Sequence, residues 1–271
     1  MNEFSLSSYQ LQLKKLLAQI VDVLNRNNMS YLAVYGTCLG AVRHGDISPW
    51  DDDIDIAVRR EDYVRVKQLL IRECQNLYFW DYDEDPKCCL SFGRIFRRIK
   101  PGDTIEQRRA YIDLYIIDNV PNNPVARFLH RLLYTIIGRH LIRRGGAKVE
   151  YKTFTPASCL IYLFGLPLNL FPLNFLRATH RRLKGCLSRA TKNKSYAIIG
   201  HTLVHNSLIA EGKTVSFGGI QICVPKDAEK YLEMMYGNWR QIPPEGQRGE
   251  HAYKSNGEVI VAMPDDSLRR G

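Results

Sequence analysis

The chain has 271 residues, 45% hydrophobic and 24% charged, with a formal net charge of +10. These are the proportions of an ordinary globular protein, long enough for one large domain or two small ones around a real core. Seven cysteines, an odd number with no Cys-x-x-Cys pair and with Cys88 beside Cys89, suit neither a usual disulfide framework nor a zinc site. They read as reduced thiols of a cytosolic protein, and Met1 to Lys15 lacks the apolar core of a signal peptide. The positive balance calls for an acidic partner: nucleic acid, anionic lipid and a phosphorylated substrate all fit.

In chain order, residues 9–26 form an amphipathic helix, with Leu13, Leu16, Leu17, Ile20, Val23 and Leu24 at helical spacing and Ser7 or Ser8 as N-cap. Tyr31 to Tyr35 is a short strand running into Gly36. Thr37 to Arg43 makes a turn of helix, which puts Thr37 at a helix N-terminus, where anions bind. Asp53 to Val58 is the next strand and Glu61 to Cys74 the next helix. Leu77 to Tyr82 and Leu90 to Ile99 alternate weakly as strands, and Pro101-Gly102-Asp103 is a turn. Tyr111 to Asp118 is a mostly apolar, central strand.

Residues 125–148 mix apolar and basic groups, 153–176 carry no charge, and 177–194 are again basic. The uncharged stretch has the length of a bilayer span. Pro156, Pro167 and Pro172, with Asn169 and Asn174, disfavour a simple spanning helix. Two readings fit: a surface lying in an anionic membrane interface, and a helical subdomain packed on the core. A hairpin follows at 215–224 around Gly218-Gly219, then a helix from Asp227 to Tyr236 ending at Gly237. From Ser255 the end looks extended and partly mobile. No internal repeat is present.

The chemistry concentrates at Pro49-Trp50-Asp51-Asp52-Asp53-Ile54-Asp55. Four carboxylates within five residues repel one another, and a hard divalent cation relieves them. In a strand, Asp53 and Asp55 project to the same face. The Gly36-Thr37 turn offers backbone N–H groups and a hydroxyl to a phosphate. A solvated loop or a structural Ca²⁺ loop also carries such a run, but this one enters an apolar strand directly. Asp113, inside a buried strand, needs a cation or donors. Pairing with an Arg is one account and a third metal ligand the other; the upstream acidic pair favours the ligand. His201 and His205 have the spacing of a helical zinc pair, but no third ligand is evident, and they read as structural.

The run Gly-Thr-x-Leu-Gly-x-x-Arg-His, Gly36 to His44, followed by Pro-Trp-Asp-Asp-Asp-Ile-Asp, resembles the signature of the LicD family of phosphocholine transferases, which are similar to the fukutin group. Weaker matches follow in order: Thr104 and Glu106, Ile112-Asp113-Leu114 with Asp118, Phe217 to Pro225, Tyr236-Gly237, Pro243-Pro244, Arg248 and His251. Residues 125–200 lie outside the resemblance. It implies an α/β (α+β) fold, a nucleotidyltransferase-like mixed sheet flanked by helices, with the basic and apolar segment as a helical insertion. The implied division is a catalytic core at 1–124, the insertion at 125–200 and a completing hairpin, helix and tail at 201–271.

The resemblance also implies Asp53, Asp55 and Asp113 as catalytic carboxylates holding Mg²⁺ or Mn²⁺, with Gly36 and Thr37 on the phosphate side. Asp51 and Asp52 hold water near the metal or shape the turn; Asp46 tunes acceptor choice or has no role. Arg43, Arg94 and Arg98 are candidates for phosphate contacts, Arg43 foremost. Asp113 or Asp52 is a candidate base, with His251 behind them. The implied donor is CDP-linked, CDP-choline by default, and the acceptor a glycan hydroxyl, often lipid-linked. The setting is the cytoplasm or the inner face of the membrane, with peripheral contact to anionic lipid and no nucleic acid partner. The rivals are a nucleotidyltransferase passing a nucleoside monophosphate to a small acceptor, and a non-enzymatic binder of anionic polymers.

Overall fold

The computed structural model describes residues 5–85, 88, 90–144, 163–190, 195–245, 248 and 266–270. His251, residues 153–162 of the uncharged stretch and 255–265 of the chain end lie outside the described residues. The fold is a mixed α/β sheet flanked by helices, with a helical insertion, as the resemblance implied.

The first helix, α1 (Leu6–Arg26), is capped by Ser5, whose hydroxyl accepts from the Ser8 N–H. It buries Tyr9, Leu13, Leu16, Leu17, Ile20 and Leu24, the row its periodicity marks out. There follow β1 (Leu32–Ala33), α2 (Tyr35–His44), β2 (Asp55–Arg59), α3 (Arg60–Glu73), β3 (Leu77–Trp80), β4 (Gly93–Arg97), α4 (Ile105–Arg109) and β5 (Tyr111–Asn119). The insertion holds α5 (Pro124–Arg144), a 3-10 turn at Leu166–Leu170 and α6 (Leu173–Ala190). Then come β6 (Tyr196–Ile199), β7 (Thr202–His205), α7 (Asn206–Ile209), β8 (Gly212–Phe217), β9 (Ile220–Pro225) and α8 (Ala228–Tyr236).

Strand β5 organises the sheet. It runs parallel to β2, with Asp55 level with Asp113 and Arg59 level with Ile117. Along Tyr111 to Leu114 it pairs antiparallel with β4, and along Ile117 to Asn119 with β6. Pairing on both edges explains its nearly continuous apolar run. β3 and β1 close the two ends of the path β1-β2-β5-β4-β3, while β8 and β9 form a separate hairpin.

Three local differences from the sequence reading have plain causes. The β6–β7 hairpin was missed because its four-residue strands adjoin a basic segment; its signal was Gly200, which turns at a φ of +54°. Helix α4 was missed although Thr104 and Gln107 form a reciprocal capping box. The chain end is docked at residues 266–270: Ile99 N–H donates to the Arg269 carbonyl at 2.9 Å, and the Arg269 guanidinium lies over Phe96. Asp46 is structural, since it accepts from the Ile47 N–H and pairs with Lys14 at 2.8 Å.

Candidate active site

The acidic loop is held against α2 by two small residues. A Cβ at Gly36 would stand 2.7 Å from Asp51 Oδ2, so only glycine lets the helix start and that carboxylate meet. Thr37 is buried in the first turn, and its hydroxyl accepts from the Asp55 N–H at 2.7 Å. Its oxygen therefore ties β2 to α2. From behind, the Gln10 side-chain amide donates to the carbonyls of Ser48, at 3.0 Å, and Asp51, at 2.7 Å.

Strand β2 begins at Asp55, two residues later than the periodicity suggests, so Asp53 precedes the strand. Asp53 and Asp55 still line the same cleft, but through the loop and not through strand alternation. Asp113 stands level with Asp55 on the neighbouring strand. It is held by Arg94, its cross-strand partner on β4: Nε donates to Oδ1 at 2.6 Å and the terminal nitrogen to Oδ2 at 2.9 Å. The Arg-pairing account of Asp113 is thus realised, and it removes Arg94 from the phosphate contacts, since that guanidinium is buried and committed. The carboxylate oxygens that converge within 4.8 Å of one another belong to Asp51, Asp52 and Asp53. The period-two expectation takes Asp53 into the strand, whereas residues 51–54 are irregular chain before it and bring the three carboxylates together.

The cleft has a volume of about 960 Å³. Its acidic floor is Asp51, Asp53 and Asp55; its walls include Phe92, Tyr115, Trp239 and Arg248. The Phe92 ring stacks on Tyr115 at 4.3 Å. Arg43 and Arg248 both lie over the Trp50 ring, 5.5 and 4.5 Å from its centre, and Arg43 donates to the Trp239 carbonyl. Two guanidinium groups thus face three carboxylates across one cavity. Arg98 is elsewhere, over Tyr78 and donating to the Gln75 carbonyl. His201 lies just after Gly200 in the β6–β7 turn and lines the cleft, while His205 packs on Tyr196 at the far end of β7. Neither is on a helix, so the helical zinc geometry does not arise.

Burial dominates the electrostatics. It raises the Asp51 carboxyl to about 6, with the Asp52 charge adding to it. It lifts Asp55 well above the usual carboxylate range, reinforced by Asp53, Asp113 and Asp51 and opposed by Arg94. Burial also lifts Asp113, against the pull of Arg94. Burial alone would lower Arg94, but the Asp113 charge reverses the direction and holds the guanidinium protonated. A divalent cation fits this floor: the donors are all carboxylate oxygens, and buried Asp55 Oδ1 makes no hydrogen bond among the described residues.

Two outcomes follow. A carboxyl raised on folding stabilises the protein below its unfolded value, near 4, and that contribution is lost as pH rises through about 6, the folded value of Asp51. In the absence of divalent cation the thermal midpoint of the wild type should therefore fall across this window relative to Asp51→Asn; parallel curves for the two proteins would contradict the assignment. Thr37→Val leaves the buried Asp55 N–H without its acceptor and should cost about 1–3 kcal/mol in urea unfolding. Thr37→Ser keeps the oxygen and should recover most of it.

A mixed sheet in which β2 and the loop before it present carboxylates to an open cleft, with Asp113 level with Asp55 on the parallel neighbour, defines a nucleotidyltransferase-like domain. Residues 28–122 match the family described as LicD/FKTN/FKRP, nucleotidyltransferase domain. Over those residues the chain is similar to LicD-family domains, related to the group of fukutin and FKRP. It is 28% identical over 144 residues to the lipopolysaccharide cholinephosphotransferase LicD of Haemophilus influenzae, covering 52% of each chain. It is 38% identical over 79 residues to an uncharacterised Rickettsia prowazekii protein, 29% of this chain and 30% of that one. It is 44% identical over 50 residues to the human ribitol 5-phosphate transferase FKRP, 18% of this chain and 10% of that one. The match spans about half the length of the Haemophilus relative and less of the others.

Proposed function

We propose that the protein transfers phosphocholine, or a related phospho-alcohol, from a CDP-linked donor to a hydroxyl of a cell-surface glycan. The acceptor is a lipopolysaccharide, teichoic acid or capsule precursor, lipid-linked, met in the cytoplasm at the inner face of the membrane. The observation that carries the reading is the single cleft in which Asp51, Asp53 and Asp55 face Arg43 and Arg248. Such a cleft suits a diphosphate bridging cationic wall and acidic floor. The activities for which the Haemophilus and human relatives are named suggest the transferred groups, phosphocholine and ribitol phosphate.

The acceptor oxygen attacks the distal phosphorus of the donor, the bond from that phosphorus to the CMP oxygen breaks, and CMP leaves. A carboxylate of the floor takes the hydroxyl proton. Asp113 is the poorer choice because both of its oxygens already accept from Arg94. Asp53, Asp55 and Asp113, with Asp51 and Asp52 beside them, are the residues that would hold Mg²⁺ or Mn²⁺. When bound, the ion supplies charge neutralisation for the diphosphate and the leaving phosphate. Arg43 steadies a phosphate oxygen, and the first turn of α2, where Gly36 lines the cleft, lets the donor approach the backbone.

The test is product analysis with CDP-choline, CDP-ribitol and lipid-linked glycan from the host. Glycan-dependent release of CMP supports transfer, and the productive donor identifies the head group. Release of pyrophosphate from a nucleoside triphosphate, with nucleoside monophosphate joined to the acceptor, would replace this reading with the nucleotidyltransferase one.

A further inference from the structure

Among the described residues sixteen large hydrophobic side chains are exposed, and ten of them lie between Val125 and Phe175. On α5 they form a stripe: Val125, Phe128, Leu129 and Leu133, with Val125 and Phe128 65% and 64% exposed. The opposite side of the helix is apolar as well, since Tyr134, Ile137 and Leu141 are buried, the last two against Leu176 of α6. A helix that only packs on a core keeps its outer face polar. This one is apolar on both sides.

The stripe is part of a wider surface. Leu129, Leu133, Ile136 and His140 make one row along α5, and Gly165 lies against Ile136 and His140 at its far half. Leu163, Phe164 and Leu166, the chain neighbours of Gly165 at this contact, are exposed as well. Arg144 donates to the Phe171 carbonyl at 2.7 Å, fastening the following turn to the helix. Charge points the same way. Residues 124–194 hold fourteen Lys and Arg against one acidic residue, more than the formal +10 of the whole chain, so the remainder is slightly acidic.

We infer that this face of α5 and the adjoining 3-10 turn docks in the interface of an anionic lipid bilayer, the aliphatic and Phe side chains entering the headgroup boundary. Exposed apolar side chains on a segment rich in Lys and Arg are what such an interface binds. A second copy of the chain is disfavoured, because two faces from so basic a segment repel. Single-stranded nucleic acid would use rings arrayed as stacking platforms in a charged groove, whereas this stripe is largely aliphatic. No helix among the described residues is long and apolar enough to cross a membrane, so the contact is a surface one. It also has a use. Tyr134, on the buried side of α5, packs against His201, 5.1 Å between ring centres, and His201 lines the cleft, so the helix that carries the docking face backs the wall of the site. The inference deepens the membrane location proposed above and is indifferent to the donor.

The test is co-sedimentation of the full chain with phosphatidylcholine vesicles, with and without about one-third phosphatidylglycerol. Binding should be about tenfold or more stronger to the anionic vesicles and should weaken with added salt. The double variant Phe128→Ser/Leu129→Ser, at exposed positions, should lose about tenfold or more of that binding while keeping its circular dichroism and thermal midpoint. Failure to bind anionic vesicles, or equal binding by the variant, would overturn the inference. So would a concentration-dependent dimer in sedimentation velocity that the variant abolishes, which would assign the face to a second copy. None of these readouts involves CMP release, so they stand or fall apart from the transfer reaction.

Discussion

Asp55→Asn should lower CMP release by about a thousandfold or more while raising the thermal midpoint of the metal-free protein. The two effects have opposite signs for one reason. Asp55 is buried beside Asp53, Asp113 and Asp51, and burial with these like charges pushes its carboxyl far up. Removing one negative charge relieves the fold, but it also removes an oxygen donor from the floor on which the proposed reaction depends. The new amide can donate to the neighbouring carboxylates, so the variant should fold. Adding Mg²⁺ or Mn²⁺ should raise the midpoint of the wild type and do little for the variant. A variant that loses both activity and stability would mean that Asp55 is a structural residue. Retention of activity would remove it from the site.

Arg94→Met should be the most destabilising single change at the site, about 3–5 kcal/mol in urea unfolding. The pair with Asp113 is bidentate, and both side chains are about 5% exposed. Losing the guanidinium leaves the Asp113 charge buried and uncompensated, level with Asp55 on the next strand. The double variant Arg94→Met/Asp113→Asn should recover part of the loss, since neither buried charge remains. A single-variant cost under about 1 kcal/mol would mean that solvent reaches and screens the pair.

The same two residues show where sequence reading succeeds and where it stops. Asp113 stood out because a carboxylate in a buried apolar strand must be compensated, and that much is local. Which compensation it has depends on the β4–β5 register, which places Arg94 opposite it and which no local signal specifies. The period-two argument for Asp53 requires a strand; the strand starts at Asp55, and the irregular chain before it brings Asp51, Asp52 and Asp53 together instead. Gly36 and Thr37 were noticed as a phosphate turn. Their visible work is to admit Asp51 and to tether Asp55, contacts made across the sheet and not within the motif. The sheet and helices were legible because their apolar periodicities are strong. Trp50, Tyr115, Trp239 and Arg248 share a cavity that the sequence does not reveal, because they come from three separate parts of the chain.

The most direct measurement is Mn²⁺ binding to the purified chain, followed by electron paramagnetic resonance with and without CDP-choline, in the wild type and in Asp53→Asn and Asp55→Asn. The account predicts that the wild type binds Mn²⁺, that the donor tightens the binding, and that each substitution weakens it by about tenfold or more. Absence of Mn²⁺ binding in the wild type, or equal affinity in all three proteins, would contradict it.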